Sequence, residues 1–217
     1  MIPSEFASGE ALTADMVAIG MRFAATPSSK EPNIENTIVA ASIEGIVHED
    51  YRVLSLLVDW FGVHLERVNV DRLTKMVRLL GDDRVKAFWA ALAQWQKRDW
   101  RLKRLQKAYT KPRLELMGKG TSFQIERYGE DERFDGTVLR IPAKLLRHRL
   151  TDILPPQELT KKHRAYYFRV MMGPSYRADM WATIEQSPEL TPAEIARATY
   201  GSFPTAWETR RDWLIVR

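Results

Sequence analysis

Residues 51–80 read YRVLSLLVDWFGVHLERVNVDRLTKMVRLL. Val53, Leu54, Leu57, Val58 and Phe61 recur at helical spacing over residues 51–65, and the apolar face they make is broad enough for the middle of a bundle. Beyond a polar break, Leu73, Met76, Val77 and Leu80 repeat the same period over residues 70–80, and Gly81 stops the run. Two amphipathic helices joined by so short a loop lie antiparallel. This stretch sets the fold class as mainly α, a helical bundle, with Leu57, Val58, Phe61, Leu73 and Val77 as its expected core.

Toward the N-terminus, residues 13–25 carry Met16, Ile19 and Phe23 at helical spacing, and Pro32-Asn33 starts a second helix with Ile34, Ile38, Ala41 and Gly45 along one side. Toward the C-terminus, Asp82 and Asp83 cap a helix that the spacing extends from Arg84 to about Tyr109, up to Lys111-Pro112. The pattern then changes. Residues 122–128 (SFQIERY) alternate, residues 129–132 form a polar turn, and residues 137–141 (TVLRI) read as a second strand, so a small β-hairpin packed on helices is expected. Residues 143–150 and 156–172 return to helical spacing, and Gly173-Pro174 is a breaker. Three regions result: a bundle over residues 1–110 ending in a basic helix, a hairpin with connecting helices over 111–172, and a three-helix unit over 173–217.

The 217 residues are 45% hydrophobic and 28% charged, which is globular composition, and a chain of this length buries a large core without staples. There is no cysteine, which excludes disulfides, thiolate metal sites, iron–sulfur clusters and thiol catalysis. The first twenty residues lack the basic and apolar blocks of an export signal, and no apolar stretch approaches a membrane span, so no membrane partner and a cytoplasmic location are expected. His48, His64, His148 and His163 have no metal-binding spacing and read as surface or satisfied histidines. Gly118-Lys119-Gly120-Thr121 lacks the upstream glycine of a phosphate loop, the acidic run 130–135 lacks the calcium-loop order, and no nucleophile elbow is present. No cofactor, metal or catalytic residue is called for, and an enzyme is not expected. A carboxylate pair needs no local signature, and that alternative stays open.

The net charge of +5 is concentrated. Residues 1–80 hold 7 basic and 11 acidic side chains, residues 81–113 hold 10 and 3, and residues 114–217 hold 16 and 14. Residues 97–113 read KRDWRLKRLQKAYTKPR, and one continuous helix from Arg84 to Lys111 would place Phe88, Leu92, Trp95, Leu102, Leu105 and Tyr109 on one side. Lys97, Arg101, Lys103, Arg104, Lys107 and Lys111 would lie on the other, with Trp100 among them and Trp89 above it. Tryptophan among lysine and arginine suits base stacking or cation–π contact, so Lys97, Trp100, Arg101, Lys103, Arg104 and Lys107 are candidate nucleic-acid contacts. The alternatives are an interface with an acidic protein partner and an internal structural helix.

In the C-terminal region, Ser175 opens a helix over residues 175–186. Thr191, Pro192 and Glu194 form a capping box for a second, and Ser202 with Pro204 opens a third. The string 191–213, TPAEIARATYGSFPTAWETRRDW, resembles the helix-turn-helix of bacterial DNA-binding proteins. Ala196 allows close helix approach, Gly201 allows a left-handed turn, and Ile195, Ala206 and Trp213 can face inward. The resemblance implies that Ser202, Thr205, Arg210 and Arg211 face a DNA groove and its phosphates. It implies a DNA-binding regulatory protein, a homodimer of transcription-regulator type, with RNA as the other polyanion the charge would suit. The alternative function is an interaction component of antitoxin or phage-defence type whose basic helix holds an acidic partner.

Overall fold

The computed structural model describes residues 5–117 and 119–216. α1 (Gly9–Ala18) packs on α2 (Ile34–Val47), α2 packs on α3 (Tyr51–His64), and α4 (Val70–Leu79) and α5 (Asp83–Trp95) close against α2. Asn33, Asp50, Asn69 and Asp82 each accept backbone N–H groups of the helix that follows, so each polar break in the sequence is a helix start. The expected core residues Leu57, Val58, Phe61, Leu73 and Val77 are all fully buried. Trp60 and Trp89 join them, with Trp60 Nε1 donating to the Ile19 carbonyl at 2.8 Å and Trp89 Nε1 to Ser42 Oγ at 2.9 Å. Gly45 lets α2 approach α3: a Cβ there would stand 2.7 Å from the Leu54 side chain. Leu57→Ala is expected to cost about 2–5 kcal/mol in reversible urea unfolding, the range for a leucine lost from a closed core. A loss below about 0.5 kcal/mol would mean that this face does not carry the bundle.

Several boundaries differ from the sequence reading. α1 occupies Gly9–Ala18 rather than residues 13–25, because Gly20 takes a positive φ of 96° and the chain beyond it pairs with residues 152–154. The helix expected from Arg84 to Tyr109 is interrupted. α5 ends at Trp95, Trp100–Leu102 is a 3₁₀ turn, and α6 is Lys103–Gln106. Asp99 is the cause: its carboxylate accepts the N–H of Arg101 at 3.0 Å, a local bond that competes with the helix ladder. Trp89 accordingly lies in the core and not beside Trp100.

The expected hairpin is absent. Residues 122–128 lie in a helix, α7 (Thr121–Tyr128), entered through Gly120 at φ 85° and closed by Gly129 at φ 82°. Its alternation was not a buried face, since Phe123 is exposed. β1 (Leu114–Glu115) and β2 (Leu139–Arg140) instead pair in parallel, Leu114 opposite Leu139. Residues 143–150 form turns rather than a helix, because α3 side chains hold them: Ser55 Oγ accepts from Arg147 N, and the Asp59 carboxylate accepts from Arg149 N. The run 156–172 is two helices, α8 (Pro156–Lys162) and α9 (Arg164–Met172), parted at His163, whose ring accepts from Tyr166 N at 3.2 Å.

α10 (Tyr176–Gln186), α11 (Pro192–Ala198) and α12 (Phe203–Ile215) form the three-helix unit, with Met180, Ile184, Ile195, Ala196, Ala206 and Trp213 as its own core. The Thr191–Glu194 capping box is formed. Gly201 does not supply the left-handed residue; Tyr200 does, at φ 56°. Gly201 serves close packing, since a Cβ there would stand 2.3 Å from the Met180 methyl.

His64 shows what burial does to a histidine here. Its ring centroid lies 4.8 Å from that of Trp60, the two planes tilted by 37°, with Nδ1 2.8 Å from the Tyr166 hydroxyl and Nε2 3.1 Å from the Leu154 carbonyl. Burial pushes its pKa from 6.5 down to about 4. The unfolded chain therefore takes up a proton that the folded chain refuses, so stability rises with pH in this window. The contribution is complete above pH 6.5 and is lost as pH falls toward about 4. Its size is about 3 kcal/mol. Burial lowers His163 as well, in the same direction. Denaturation series between these limits should show wild type losing more stability than His64→Phe; parallel curves would remove His64 as the cause.

Candidate nucleic-acid interface

The break between α5 and α6 turns residues 97–107 into a protruding basic corner. Trp100 stands on it, 75% exposed. Lys97, Arg98, Lys103, Arg104 and Lys107 around it in sequence are exposed, and among the described residues none forms an ion pair. Arg98 belongs to this group although the face assigned to a continuous helix passed over it. The underside holds the corner down: Leu102 and Leu105 are fully buried, and the Arg104 carbonyl accepts from Arg78 Nη2 at 3.3 Å.

Arg101 differs from its neighbours. Its guanidinium donates to Asp99 through Nε at 3.0 and 3.1 Å and through Nη2 at 2.6 Å, and to the Leu65 carbonyl at 3.0 Å. It ties the corner to the end of α3 and is committed to the protein's own groups. Burial pushes the Asp99 pKa up, but the Arg101 bonds outweigh it and hold the carboxyl below its usual range. Lys111, on the expected basic face, pairs with Asp83 at 2.6 Å.

The candidates on α12 are also mostly engaged. Ser202 Oγ caps the helix by accepting Thr205 N at 3.3 Å, and its hydroxyl lies 2.8 Å from that of Thr205. Arg210 turns back to donate to the Leu190 carbonyl at 2.6 Å. Arg211 donates to Asp212 at 2.9 Å and lies over the Trp207 ring at 5.5 Å. The outward face of α12 presents Phe203, Trp207, Glu208, Arg211 and Leu214, with Trp207 50% and Leu214 63% exposed.

What fastens the three-helix unit to the bundle is a buried ion cluster that the sequence did not announce. Glu35 of α2, Arg72 of α4, Arg169 of α9 and Asp179 of α10 are all buried. Arg169 grips both carboxylates bidentately, Glu35 at 2.7 and 2.8 Å and Asp179 at 2.7 and 2.8 Å. Arg72 donates to Glu35 at 2.9 Å, to Asp179 at 2.5 Å and to the Thr199 carbonyl at 2.8 Å. Asn69 N donates to Glu35 at 2.8 Å. Burial alone would push the Asp179 carboxyl up, but the guanidinia of Arg169 and Arg72 bring it below its usual range. The same pairing raises Arg169 and Arg72 against burial. These are the converging carboxylates an acid–base site would need, yet every oxygen already accepts a donor from the protein.

Among the described residues no cluster of His, Asp and Glu is placed to hold a metal ion, and no helix is long and apolar enough to cross a membrane. Compared with protein-family models, with curated proteins and with solved structures, the chain finds no match.

Proposed function

We propose that this protein binds nucleic acid, DNA in the first place, as a cytoplasmic regulatory protein, and that the basic corner is its phosphate grip. The observation that carries this is Trp100, 75% exposed among five cations that form no ion pair among the described residues. Exposed cations without partners can exchange condensed counterions for phosphates, and an indole beside them can stack on an unpaired base. A dimer would double these contacts and set a half-site spacing. The test is fluorescence anisotropy with duplex and single-stranded oligonucleotides over a salt series. Trp100→Ala should weaken single-strand binding by about 1–3 kcal/mol, the worth of one stacked base, and duplex binding less. No binding of wild type to any oligonucleotide at about 50 mM salt would end this reading.

A second reading is favoured by one specific observation, the outward face of α12. Phe203, Trp207 and Leu214 form an apolar stripe better suited to a protein partner than to phosphates. On this reading the chain is an interaction component of antitoxin or phage-defence type. A complex made through that stripe would tolerate salt, whereas one made through the basic corner would not.

A further inference from the structure

α12 has two faces at helical spacing. Ala206, Thr209 and Trp213 turn inward and are buried in the three-helix unit. Opposite them Pro204, Trp207, Arg211 and Leu214 are exposed, three, four and three residues apart, the spacing that carries a seam between paired helices. Phe203, Glu208 and Ile215 flank this seam and are exposed too. The outer face of a surface helix is ordinarily polar. This one is mostly apolar: Phe203 is 55%, Trp207 50%, Leu214 63% and Ile215 75% exposed.

The two charges on the face decide what covers it. Glu208 forms no ion pair among the described residues. Arg211 shares Asp212 with Arg177, at 2.9 and 2.8 Å, so one carboxylate serves two guanidinia and a positive charge is left over. The face therefore carries an unmatched anion and an unmatched cation one helical turn apart. Two such faces laid parallel set like charges against each other. Laid antiparallel, with a two-fold axis at the level of Thr209, they bring Glu208 of each copy beside Arg211 of the other. The same register sets Trp207 against Arg211, Pro204 against Leu214 and Phe203 against Ile215. A face complementary to itself in charge and in apolar pattern needs no second kind of protein.

We propose that α12 pairs antiparallel with α12 of a second copy of this chain. This rests on the second reading above, in which the same face meets a protein, and it supplies the dimer invoked for the basic corner. At about 150–250 Å² for each aromatic side chain, covering the exposed parts of Phe203, Trp207 and their aliphatic neighbours on both copies hides roughly 1,000 Å², the lower bound for a specific interface. The helix is already held by its own core, so little ordering opposes the pairing. A reversible dimer with a Kd of about 1–100 µM is expected.

The test is analytical ultracentrifugation of the full chain, free of nucleic acid, from about 1 to 300 µM. Wild type should pass from the mass of one chain to that of two. Trp207→Glu/Leu214→Glu changes only exposed side chains and should stay at one. Glu208→Arg alone and Arg211→Glu alone should each weaken pairing about tenfold or more, and an equimolar mixture of the two should return close to wild-type affinity, because each offers the charge the other lacks. That recovery requires two-fold antiparallel contact, and a loss of fold could not produce it. Lys103→Ala/Lys107→Ala should dimerise as wild type does. A wild type that keeps one chain's mass at about 300 µM would overturn the proposal. So would a dimer that survives Trp207→Glu/Leu214→Glu, a mixture no tighter than its single components, or a dimer lost in Lys103→Ala/Lys107→Ala. Because nucleic acid is absent from every arm, a failure of oligonucleotide binding leaves the dimer standing, and a monomeric wild type leaves the basic corner as it is.

Discussion

Arg169→Met should lower the stability of the protein by about 3–5 kcal/mol. Arg169, itself fully buried, makes two forked carboxylate contacts out of reach of solvent and a further, part-buried bond to the Arg67 carbonyl at 3.0 Å. Methionine fills much of the space but leaves Glu35 and Asp179 facing each other with Arg72 alone between them. The cost is the exposure of two buried carboxylates to an incomplete partner rather than the net worth of the intact cluster. Arg169→Lys should rescue little, since an ammonium cannot offer two parallel N–H pairs to two carboxylates at once. Urea unfolding near pH 7 measures the loss. Hydrogen exchange should also show α10 opening before α3, because Asp179 is the α10 end of the fastening. A loss below about 1 kcal/mol, with α10 as protected as before, would show that apolar packing and not the ion cluster holds the unit in place.

The difference between what the sequence showed and what it hid follows the range of the interactions. Caps are local, so Asp82, Thr191 and Ser202 mark helix starts that hold in the fold. The apolar faces of α3 and α4 repeat over enough turns to stand out from chance. Residues 122–128 do not: Phe123 and Ile125 two apart fit a strand or a helix equally, and only the glycines on either side decide. The basic corner was legible as charge but not as shape. A continuous helix put Trp89 beside Trp100 and Arg101 among the free cations, and one local bond from Asp99 undoes both placements. The ion cluster joins charged residues 10, 37, 107 and 134 positions apart in the chain. Its one trace in the sequence is Arg72, a cation beside Leu73 and Met76 on the buried side of α4, where a lone charge would be costly.

The largest effect on function is expected from the quadruple variant Lys97→Ala/Lys103→Ala/Arg104→Ala/Lys107→Ala. If these four and Arg98 each neutralise one duplex phosphate, log K falls with log salt at a slope of about −4.5, and wild type loses about 500-fold in affinity between 50 and 200 mM salt. The variant keeps one contact, so its slope should flatten to about −0.9 and its loss over the same range to roughly fourfold. None of the four side chains forms an ion pair among the described residues, so the fold should keep its melting temperature. Arg101→Ala is the counterpart. Its guanidinium is spent on Asp99 and on the Leu65 carbonyl, so removing it should lower stability while leaving the salt slope nearly as steep as wild type. The sequence alone would group Arg101 with the other cations and predict the same flattening for it. Titrating all three proteins on one duplex at several salt concentrations separates the two. Should Arg101→Ala flatten the slope as much per charge as the quadruple variant does, the guanidinium leaves Asp99 for the phosphate when DNA binds. If instead the quadruple variant binds as wild type does at every salt concentration, the phosphates lie elsewhere, and the exposed face of α12 becomes the surface to probe.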